Sequence, residues 1–271
     1  MNILVTGANG MLGQDLCPIL EDNGYEVIET DINNLDITNA ETVKTVLTEN
    51  RPDIVIHCAA YTNVDKAEED LKTAELINVT GTENIAEVCG KLGSTLVYIS
   101  TDYVFDGTKH EPYSPNDRTN PINNYGMTKY EGEEAVRSLC EKYYIARTSW
   151  LYGHHGKNFV ETMLNLADKP EIKVVDDQIG CPTWTVELAN GIIKLLSKPY
   201  GTYHVCGSGS TSWYGFAREI FVQSDLNVNL LPCTTEEFPR PARRPRYSVM
   251  QNDGICRKWQ DALRDYLKLR V

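Results

Sequence analysis

The chain has 271 residues, of which 41% are hydrophobic and 24% are charged, and its formal net charge is -12. This length suits one large α/β domain or a domain with a smaller appendage, and the composition is that of a globular protein with a sizeable core. The acidic balance argues against a general binder of nucleic-acid backbone, which needs a basic face. It leaves room for an anionic small ligand held by local arginines.

The eight cysteines are scattered singly between Cys17 and Cys256, and none forms a Cys-x-x-Cys pair. We therefore expect buried free thiols in a reducing compartment and no zinc site. The amino terminus runs from Met1 into Gly7 without a basic leader, and no segment approaches the ~20 apolar residues of a membrane span. We expect a cytoplasmic protein without a membrane partner.

The first predicted element is a buried strand over residues 2–6, which ends at three glycines spaced Gly-x-x-Gly-x-x-Gly. These glycines, Gly7, Gly10 and Gly13, open a helical pattern that continues through Leu20. Glycines at such a turn let the backbone approach a pyrophosphate, and the helix amino terminus adds free N–H groups and a positive dipole end. The position between strand and helix predicts a dinucleotide site.

A second predicted strand, residues 25–31, ends on the carboxylate of Asp31. An acid at this place typically accepts hydrogen bonds from the adenosine ribose, although a solvated strand end has the same sequence. No lysine or arginine lies between Asp31 and Asn39. The absence of a partner for a 2′-phosphate favours NADH without excluding NADPH.

Strands and helices then continue to alternate. Asp36 or Thr38 is the predicted cap of the next helix, a third strand spans residues 53–58, and one helix is predicted from about Ala67 to Gly93, with Asn78 interrupting its apolar face. A fourth strand over residues 95–100 completes a β-α-β-α-β-α-β order. This alternation predicts a Rossmann-type doubly wound parallel sheet of the α/β class.

The second half of the chain is less regular. Strands are predicted at 143–147, 172–175 and 202–205, and helices at 186–196 and 213–221. We expect residues 1–150 to form the dinucleotide-binding domain, completed by elements within about 170–205. The remaining residues, 151–271, are expected to form a smaller substrate-binding part interleaved with it.

A proline-stiffened loop over residues 239–246 carries four arginines. In an acidic protein this local reversal of sign predicts an anion site, and a solvated basic loop is the alternative.

The chemistry is predicted at residues 100–129. Thr101 stands at the end of the fourth strand, and Tyr125 and Lys129 follow four residues apart on a predicted helix, which places them on one face. A phenol has an ordinary pKa of about 10, and a lysine ammonium one turn away lowers that pKa. A Tyr-x-x-x-Lys spacing alone is common in amphipathic helices, so the surrounding motifs decide its meaning.

Those motifs together resemble the extended short-chain dehydrogenase/reductase family, and within it the branch of dTDP-4-dehydrorhamnose reductases. The generic features are the glycine loop, Asp31, Ala59-Ala60, Asn78 and the Tyr/Lys pair. More specific are the stretches at 100–107, 123–129, 147–153 and 177–183, together with Arg244-Pro245. The similarity covers nearly the whole chain.

The resemblance implies that Tyr125 is the proton donor, that Thr101 polarises the substrate carbonyl, and that Lys129 binds the nicotinamide ribose and lowers the tyrosine pKa. Cofactor contacts of NADPH or NADH are implied for Gly7, Asn9, Gly10, Met11, Leu12, Gly13, Asp31, Asp36, Ile37, Ala59, Ala60, Tyr61, Thr62, Asn78, Tyr125 and Lys129. Substrate contacts are implied for Thr101, Asp102, Trp150 and Arg244, the last facing a nucleotide diphosphate. The implied reaction is hydride transfer to the C4 ketone of dTDP-4-dehydro-L-rhamnose, the last step of dTDP-rhamnose biosynthesis.

The residues that follow Thr101 distinguish a simple reductase from related enzymes. Nucleotide-sugar 4,6-dehydratases place an Asp-Glu pair there for C5 proton abstraction, whereas here Asp102 is followed by Tyr103. Epimerase-reductases carry a cysteine near this strand end, and the stretch 100–105 has none. The alternatives left open are a reductase of another nucleotide-linked 4-keto-deoxyhexose and a non-catalytic regulatory subunit of the methionine adenosyltransferase type.

Assembly and metal use are less determined. Some relatives form dimers around a magnesium ion held by glutamates, and the sequence offers no convincing set of such glutamates. We therefore expect no required metal, and a homodimer stays open.

Overall fold

The computed structural model describes residues 1–270. Its first half alternates strands and helices: β1 (Asn2–Thr6), α1 (Met11–Asp22), β2 (Glu26–Thr30), α2 (Ala40–Asn50), β3 (Ile54–His57), α3 (Val64–Glu69), α4 (Leu71–Glu75), a π-helical turn (Leu76–Thr80), α5 (Gly81–Leu92), β4 (Thr95–Thr101), a 3-10 turn (Asp102–Val104), α6 (Asn124–Leu139) and β5 (Tyr143–Thr148). The second half contains β6 (Leu151–Tyr152), α7 (Phe159–Asn165), β7 (Ile172–Val175), β8 (Ile179–Gly180), β9 (Thr183–Trp184), α8 (Thr185–Leu195), β10 (Gly201–His204), β11 (Thr211–Ser212), α9 (Trp213–Gln223), β12 (Leu230–Cys233) and α10 (Trp259–Leu269).

The centre is a six-stranded sheet in the order β10-β5-β4-β3-β1-β2, and every pair in it is parallel. The chain passes from β1 to β2 on one side and then to β3 on the other. The order therefore reverses between β1 and β3, and in such sheets the ligand crevice lies at the carboxyl ends of the strands beside this reversal. The predicted Rossmann-type fold class is confirmed.

Each face of the sheet is covered by helices. Because side chains alternate along a strand, Ile3 and Val5 pack against α1 and α8, whereas Leu4 packs against α2, α5 and α6 on the opposite face. Both sets are fully buried. The two apolar layers fix the sheet between its helices, and this holds the strand ends at one edge.

A third apolar cluster supports the smaller elements of the second half. It is rich in aromatic rings, with Tyr152, Trp184, Phe216, Trp259 and Tyr266 all buried. Three short strand pairs, β6 with β9, β8 with β11, and β7 with β12, lie around it. Strand β10 comes from this half of the chain yet pairs with β5 in the central sheet.

Two local predictions are wrong. The helix expected from Ala67 to Gly93 is broken, because the side chain of Asp70 accepts a hydrogen bond from the backbone N–H of Thr73 and starts α4 anew. The cap expected at Asp36 or Thr38 is instead Asn39, whose side chain accepts from two backbone N–H groups of α2. The carboxylate of Asp36 instead accepts hydrogen bonds from the backbone N–H and the hydroxyl of Thr38.

All eight cysteines are free thiols, and only Cys58 is not fully buried. No helix within residues 1–270 is both long and apolar enough to cross a membrane.

Candidate active site

A cavity of about 780 Å³ lies at the carboxyl edge of the sheet. It gathers most of the residues singled out in the sequence, namely Gly7, Asn9, Gly10, Met11, Leu12, Gly13, Asp31, Asp36, Ile37, Ala59, Ala60, Thr62, Thr101, Asp102, Tyr125, Lys129 and Trp150. These residues come from loops after different strands. The sheet topology brings them to one place.

The glycine loop forms one end of the cavity. Gly7 has a φ of 66°, which favours glycine, and a Cβ there would lie 2.8 Å from the backbone nitrogen of Ala59. A Cβ on Gly13 would lie 2.4 Å from the carbonyl oxygen of Ala8. No side chain caps α1 at Gly10, and the first residues of that helix, Met11, Leu12 and Gly13, line the cavity. The loop thus fits a dinucleotide pyrophosphate.

Asp31 lies beside this loop. Its carboxylate accepts hydrogen bonds from the backbone N–H groups of Asn9, at 3.2 Å, and Ile32, at 2.6 Å. Both bonds fix the side chain at the end of β2, where the ribose of a bound dinucleotide is expected. Ile32 is 64% exposed and also lines the cavity.

The three predicted catalytic residues meet at the other end. Thr101 is the last residue of β4, and Tyr125 and Lys129 are one turn apart on α6. Asn123 begins this helix, and its side-chain oxygen accepts from the backbone N–H of Gly126 at 2.7 Å. A Cβ on Gly126 would lie 2.2 Å from the carbonyl oxygen of Tyr103, so this glycine lets α6 approach the strand end closely.

Lys129 is buried, with its side-chain nitrogen 4.0 Å from the ring centroid of Tyr98. A cation over an aromatic face is attracted by the ring quadrupole. Burial nevertheless lowers the pKa of Lys129 to about 7, against the opposing influence of Glu133. The lysine can therefore change its charge near neutral pH.

Tyr125 differs from the sequence-based expectation of a lowered pKa. Burial raises the pKa of its phenol to about 12, the nearby Asp102 carboxylate raises it further, and only the contact with the Thr101 hydroxyl opposes them. Desolvation of the phenolate is the dominant influence on this pKa. Tyr125 therefore keeps its proton at neutral pH, and donating it requires stabilisation of the phenolate left behind.

Asp102 is buried and doubly hydrogen-bonded. It accepts from the Thr101 hydroxyl at 3.0 Å and from the Ser248 hydroxyl at 2.6 Å. Burial raises the pKa of Asp102 to about 6, while both hydroxyl donors lower it. In the resting site the single O–H of Thr101 is thus donated to Asp102, and polarising a substrate carbonyl requires that hydroxyl to turn away from the carboxylate.

Three predicted site residues do not line the cavity. Asn78 is buried and bonds the backbone of Tyr61 on both its N–H and its carbonyl, as well as the Thr128 hydroxyl. Arg244 does not line the cavity, and its guanidinium pairs with Asp65. Burial lowers the pKa of Arg244, but the hydrogen bonds and charges around it, led by the hydrogen bond to Asp65, outweigh burial, and the net pKa is raised. Asn78, Tyr61 and Arg244 thus lie behind the residues that line the cavity.

The arginine loop is held on α3 by one carboxylate. Asp65 pairs with Arg240 at 2.7 Å and with Arg244, and it accepts from the backbone N–H of Ala242 at 3.2 Å. These bonds, led by that with Arg244, outweigh desolvation and lower the pKa of Asp65 to about 2. Three of the four loop arginines are therefore already paired within the protein, Arg240 and Arg244 with Asp65 and Arg246 with Glu236.

Sequence reasoning missed a further set of cavity residues. Thr148 carries a buried hydroxyl without a hydrogen-bond partner among residues 1–270, and Trp213 adds a second indole beside Trp150. Also missed are Ile32, Leu35, Thr38, Cys58, Val64, Ile77, Ile99, Ser100, Tyr103, Ser149 and Leu151. The motif at 147–153 was a signal for Thr148 and Ser149, whereas Trp213 stands in no motif recognised in the sequence.

No group of three or more histidine, cysteine, aspartate or glutamate side chains able to hold a metal occurs in the described part of the chain.

The fold and cavity define a Rossmann-type protein of the short-chain dehydrogenase/reductase class. Comparison with known proteins narrows this class. The family model described as "RmlD substrate binding domain" matches residues 1–269. The chain belongs to this family of dTDP-4-dehydrorhamnose reductases, as its sequence motifs predicted.

Individual relatives are similar over their whole length. The spore coat polysaccharide biosynthesis protein SpsK of Bacillus subtilis is 46% identical over 99% of this chain and 97% of its own. A solved dTDP-4-dehydrorhamnose reductase of Clostridium acetobutylicum is 49% identical, with a TM-score of 0.97 over 100% of this chain and 99% of that one. That of Bacillus anthracis, solved in complex with NADP, is 45% identical, with a TM-score of 0.96 over 99% of both chains.

Proposed function

We propose that this protein is an NAD(P)H-dependent reductase of the C4 ketone of dTDP-4-dehydro-L-rhamnose, giving dTDP-L-rhamnose. The observation that carries the proposal is the meeting of Thr101, Tyr125 and Lys129 in one cavity with the glycine loop. The names of the relatives support the substrate.

Different residues of the chain would bind the cofactor and carry out the reduction. The loop from Gly7 to Gly13 and Asp31 would hold the dinucleotide, which supplies a hydride when it is bound. Tyr125 and Thr101 would aim their hydroxyls at the ketone oxygen, where negative charge develops as the carbonyl is reduced. Tyr125 then gives up its proton to that oxygen, and the adjacent Lys129, titrating near neutrality, stabilises the phenolate left behind.

The residue after Asp102 argues for simple reduction. Tyr103 lines the cavity beside Tyr125, with the ring centroids 5.8 Å apart in an edge-to-face arrangement. Burial raises the pKa of its phenol well above the ordinary value. A neutral phenol cannot act as the carboxylate base that removal of a C5 proton needs, so dehydration is not supported.

A regulatory subunit that only binds the cofactor is the alternative of a different kind. A binding protein has no physical need for a threonine, a tyrosine and a lysine converging on one point. All three line the same cavity here, which favours turnover.

The proposal also covers the division of the chain and its surroundings. Residues 1–150, completed by elements within about 170–205, would bind the dinucleotide, and residues 151–271 would bind the sugar together with Trp150. The chain would act in the cytoplasm without nucleic acid, consistent with its net charge of -12. Light scattering in the presence of EDTA and of Mg²⁺ would establish whether it forms a homodimer.

Turnover of a defined substrate tests the function. Oxidation of NADH or NADPH is followed by absorbance with dTDP-4-dehydro-L-rhamnose, for the wild type and for Tyr125→Phe and Thr101→Val. We expect a loss of about 10²–10⁴-fold in kcat for Tyr125→Phe, the usual contribution of a general acid. Full turnover by Tyr125→Phe would overturn the catalytic assignment. Cofactor binding without turnover by the wild type would favour the regulatory alternative.

A further inference from the structure

Two indole rings stack on the wall of the cavity. The rings of Trp150 and Trp213 are parallel to within 6°, and their centroids lie 3.6 Å apart. Phe159 packs against Trp213, with a centroid distance of 4.6 Å. Trp150 and Trp213 both line the cavity.

The backbone of Trp150 is unusual. Its φ is 48°, in the left-handed region that bulky residues seldom adopt. A conformation of this kind persists only where the surroundings determine it, and it is commonest at ligand sites. The neighbours of Trp150 must therefore hold it in place.

The motif at residues 177–183 supplies that support. A Cβ on Gly180 would lie 2.5 Å from Cε2 and 2.7 Å from Nε1 of Trp150, so only glycine lets the indole lie there. Gly180 belongs to β8, which pairs with β11. Because β11 leads directly into α9, the same pairing places Trp213 at the start of that helix, beside Trp150.

Gln178 fixes the second indole. Its side-chain oxygen accepts from Nε1 of Trp213 at 3.2 Å, and its side-chain nitrogen donates to the Thr235 hydroxyl at 3.0 Å. Thr235 in turn donates its hydroxyl and backbone N–H to Asp177, at 2.6 and 2.9 Å. Every polar group that the indole of Trp213 offers is therefore engaged, and the ring cannot rotate without breaking the chain of bonds.

We propose that Trp213, Gln178 and Gly180 are positioning residues that hold Trp150 as a rigid wall against the deoxyhexose ring. A flat apolar surface fits the C–H face and the methyl group of a 6-deoxy sugar. A fixed wall sets the orientation of the ketone relative to Thr101 and Tyr125, and orientation is a large part of catalysis. This inference rests on the proposed function, because that function identifies the sugar. The stacking of Trp150 on Trp213 is independent of the proposed function.

The stacked pair is tested first in the resting protein. Two stacked indoles at this distance couple electronically, and a rotation of one ring relative to the other about the stacking axis turns this coupling into a paired positive and negative circular dichroism signal. We expect Trp213→Phe and Trp213→Leu to abolish this signal, and Gly180→Ala to change it strongly. The matched control is Trp184→Phe, which removes a buried indole that does not line the cavity and should preserve the signal. An unchanged signal in Trp213→Leu would overturn the inference.

Kinetics and binding then test the positioning role. Loss of an aromatic stack corresponds to about tenfold in affinity. We expect KM for the nucleotide sugar, and Kd for dTDP-L-rhamnose, to rise by about that factor in Trp213→Leu and by less in Trp213→Phe, which keeps a ring. KM for the reduced cofactor should not change. Equal losses for sugar and cofactor, or no loss for either, would contradict positioning by Trp213.

The two proposals fail differently. Without turnover of dTDP-4-dehydro-L-rhamnose by the wild type, the proposed function fails, while the dichroism signal still reports whether the indoles form one rigid wall. With turnover intact and no sugar-specific effect of Trp213→Leu, the wall fails and the reductase assignment stands.

Discussion

Glu133 and Arg147 form a two-pronged ion pair directly behind the cavity, with the carboxylate oxygens 2.8 Å from Nε and 2.7 Å from Nη2. Both side chains are buried, and the Ser100 hydroxyl donates to the same carboxylate at 2.6 Å. Glu133 lies one turn beyond Lys129 on α6, Ser100 precedes Thr101, and Arg147 belongs to β5. One buried carboxylate thus joins β4 and α6, which carry the proposed catalytic groups, to β5.

Removing the charge of Glu133 should destabilise the fold. Glu133→Gln leaves the guanidinium of Arg147 buried without a counter-charge, which costs about 3–5 kcal/mol in the free energy of unfolding. The control is Glu134→Gln, because Glu134 is exposed and pairs only with the half-exposed Arg137. Denaturant unfolding measures both. A loss below about 1 kcal/mol for Glu133→Gln would contradict the role given to this pair.

Lys129 predicts a dependence of stability on pH. Its pKa in the folded protein is about 7, below the ordinary value of 10.5. Between these two pH values the unfolded chain therefore binds one proton more than the folded chain. The contribution of Lys129 to the free energy of unfolding thus rises with pH across that window. Lys129→Met removes the effect. We expect the variant to be more stable than the wild type at pH 7, and this advantage to shrink by about 2 kcal/mol at pH 9.

The exposed Lys44 provides the matched control, since Lys44→Met removes an ammonium that folding leaves in water. Thermal unfolding at several pH values gives the comparison. A constant difference between Lys129→Met and the wild type from pH 7 to 9 would show that burial does not perturb this lysine.

Asp31 predicts a preference for NADH. Lys129 is the single lysine or arginine among the described residues that line the cavity, and Asp31 occupies the ribose end. A 2′-phosphate there would meet a carboxylate without a cation. We expect NADH to bind about tenfold more tightly than NADPH, and Asp31→Ala to reduce that ratio, because like charges brought together cost affinity.

Fluorescence titration with each reduced cofactor measures this ratio. Glu29→Ala, at an exposed position of β2 outside the cavity, should leave it unchanged. Tighter binding of NADPH by the wild type would contradict the role of Asp31. The NADP found in the Bacillus anthracis relative makes this a real test.

Ser248 predicts a shift in the titration of Asp102. Its hydroxyl favours the charged carboxylate, so Ser248→Ala should raise the pKa of Asp102 above its value of about 6. Carbon-13 NMR of labelled aspartate follows the titration, and Ser248→Thr should restore it. A midpoint that falls in Ser248→Ala would contradict the hydrogen bond as its cause.

The sequence predicted what depends on local pattern. Alternating apolar runs and glycine turns identified the parallel sheet, and the spacing of Tyr125 and Lys129 placed both on one helix. Prediction from the sequence was wrong where contacts between residues in the folded chain determine the local structure. Asn39 rather than Asp36 caps α2 because Asp36 is occupied by Thr38, and no one-dimensional pattern reveals this competition.

The site shows the same limit. Trp213 reaches the cavity through the pairing of β8 with β11, two strands of two residues each, which leave almost no periodic signal. The lysine was expected to lower the pKa of Tyr125, yet burial dominates and raises it. Burial is a property of the folded chain, so spacing along the sequence could not supply its magnitude.

Hydride transfer to the ketone carbon is the central claim, and isotope labelling tests it most directly. The protein is incubated with dTDP-4-dehydro-L-rhamnose and reduced cofactor carrying deuterium at the transferable C4 position, and the product is identified by NMR. We predict dTDP-L-rhamnose with deuterium at sugar C4. A product without deuterium at C4, or with the 4-epimeric talose configuration, would contradict the proposed reaction.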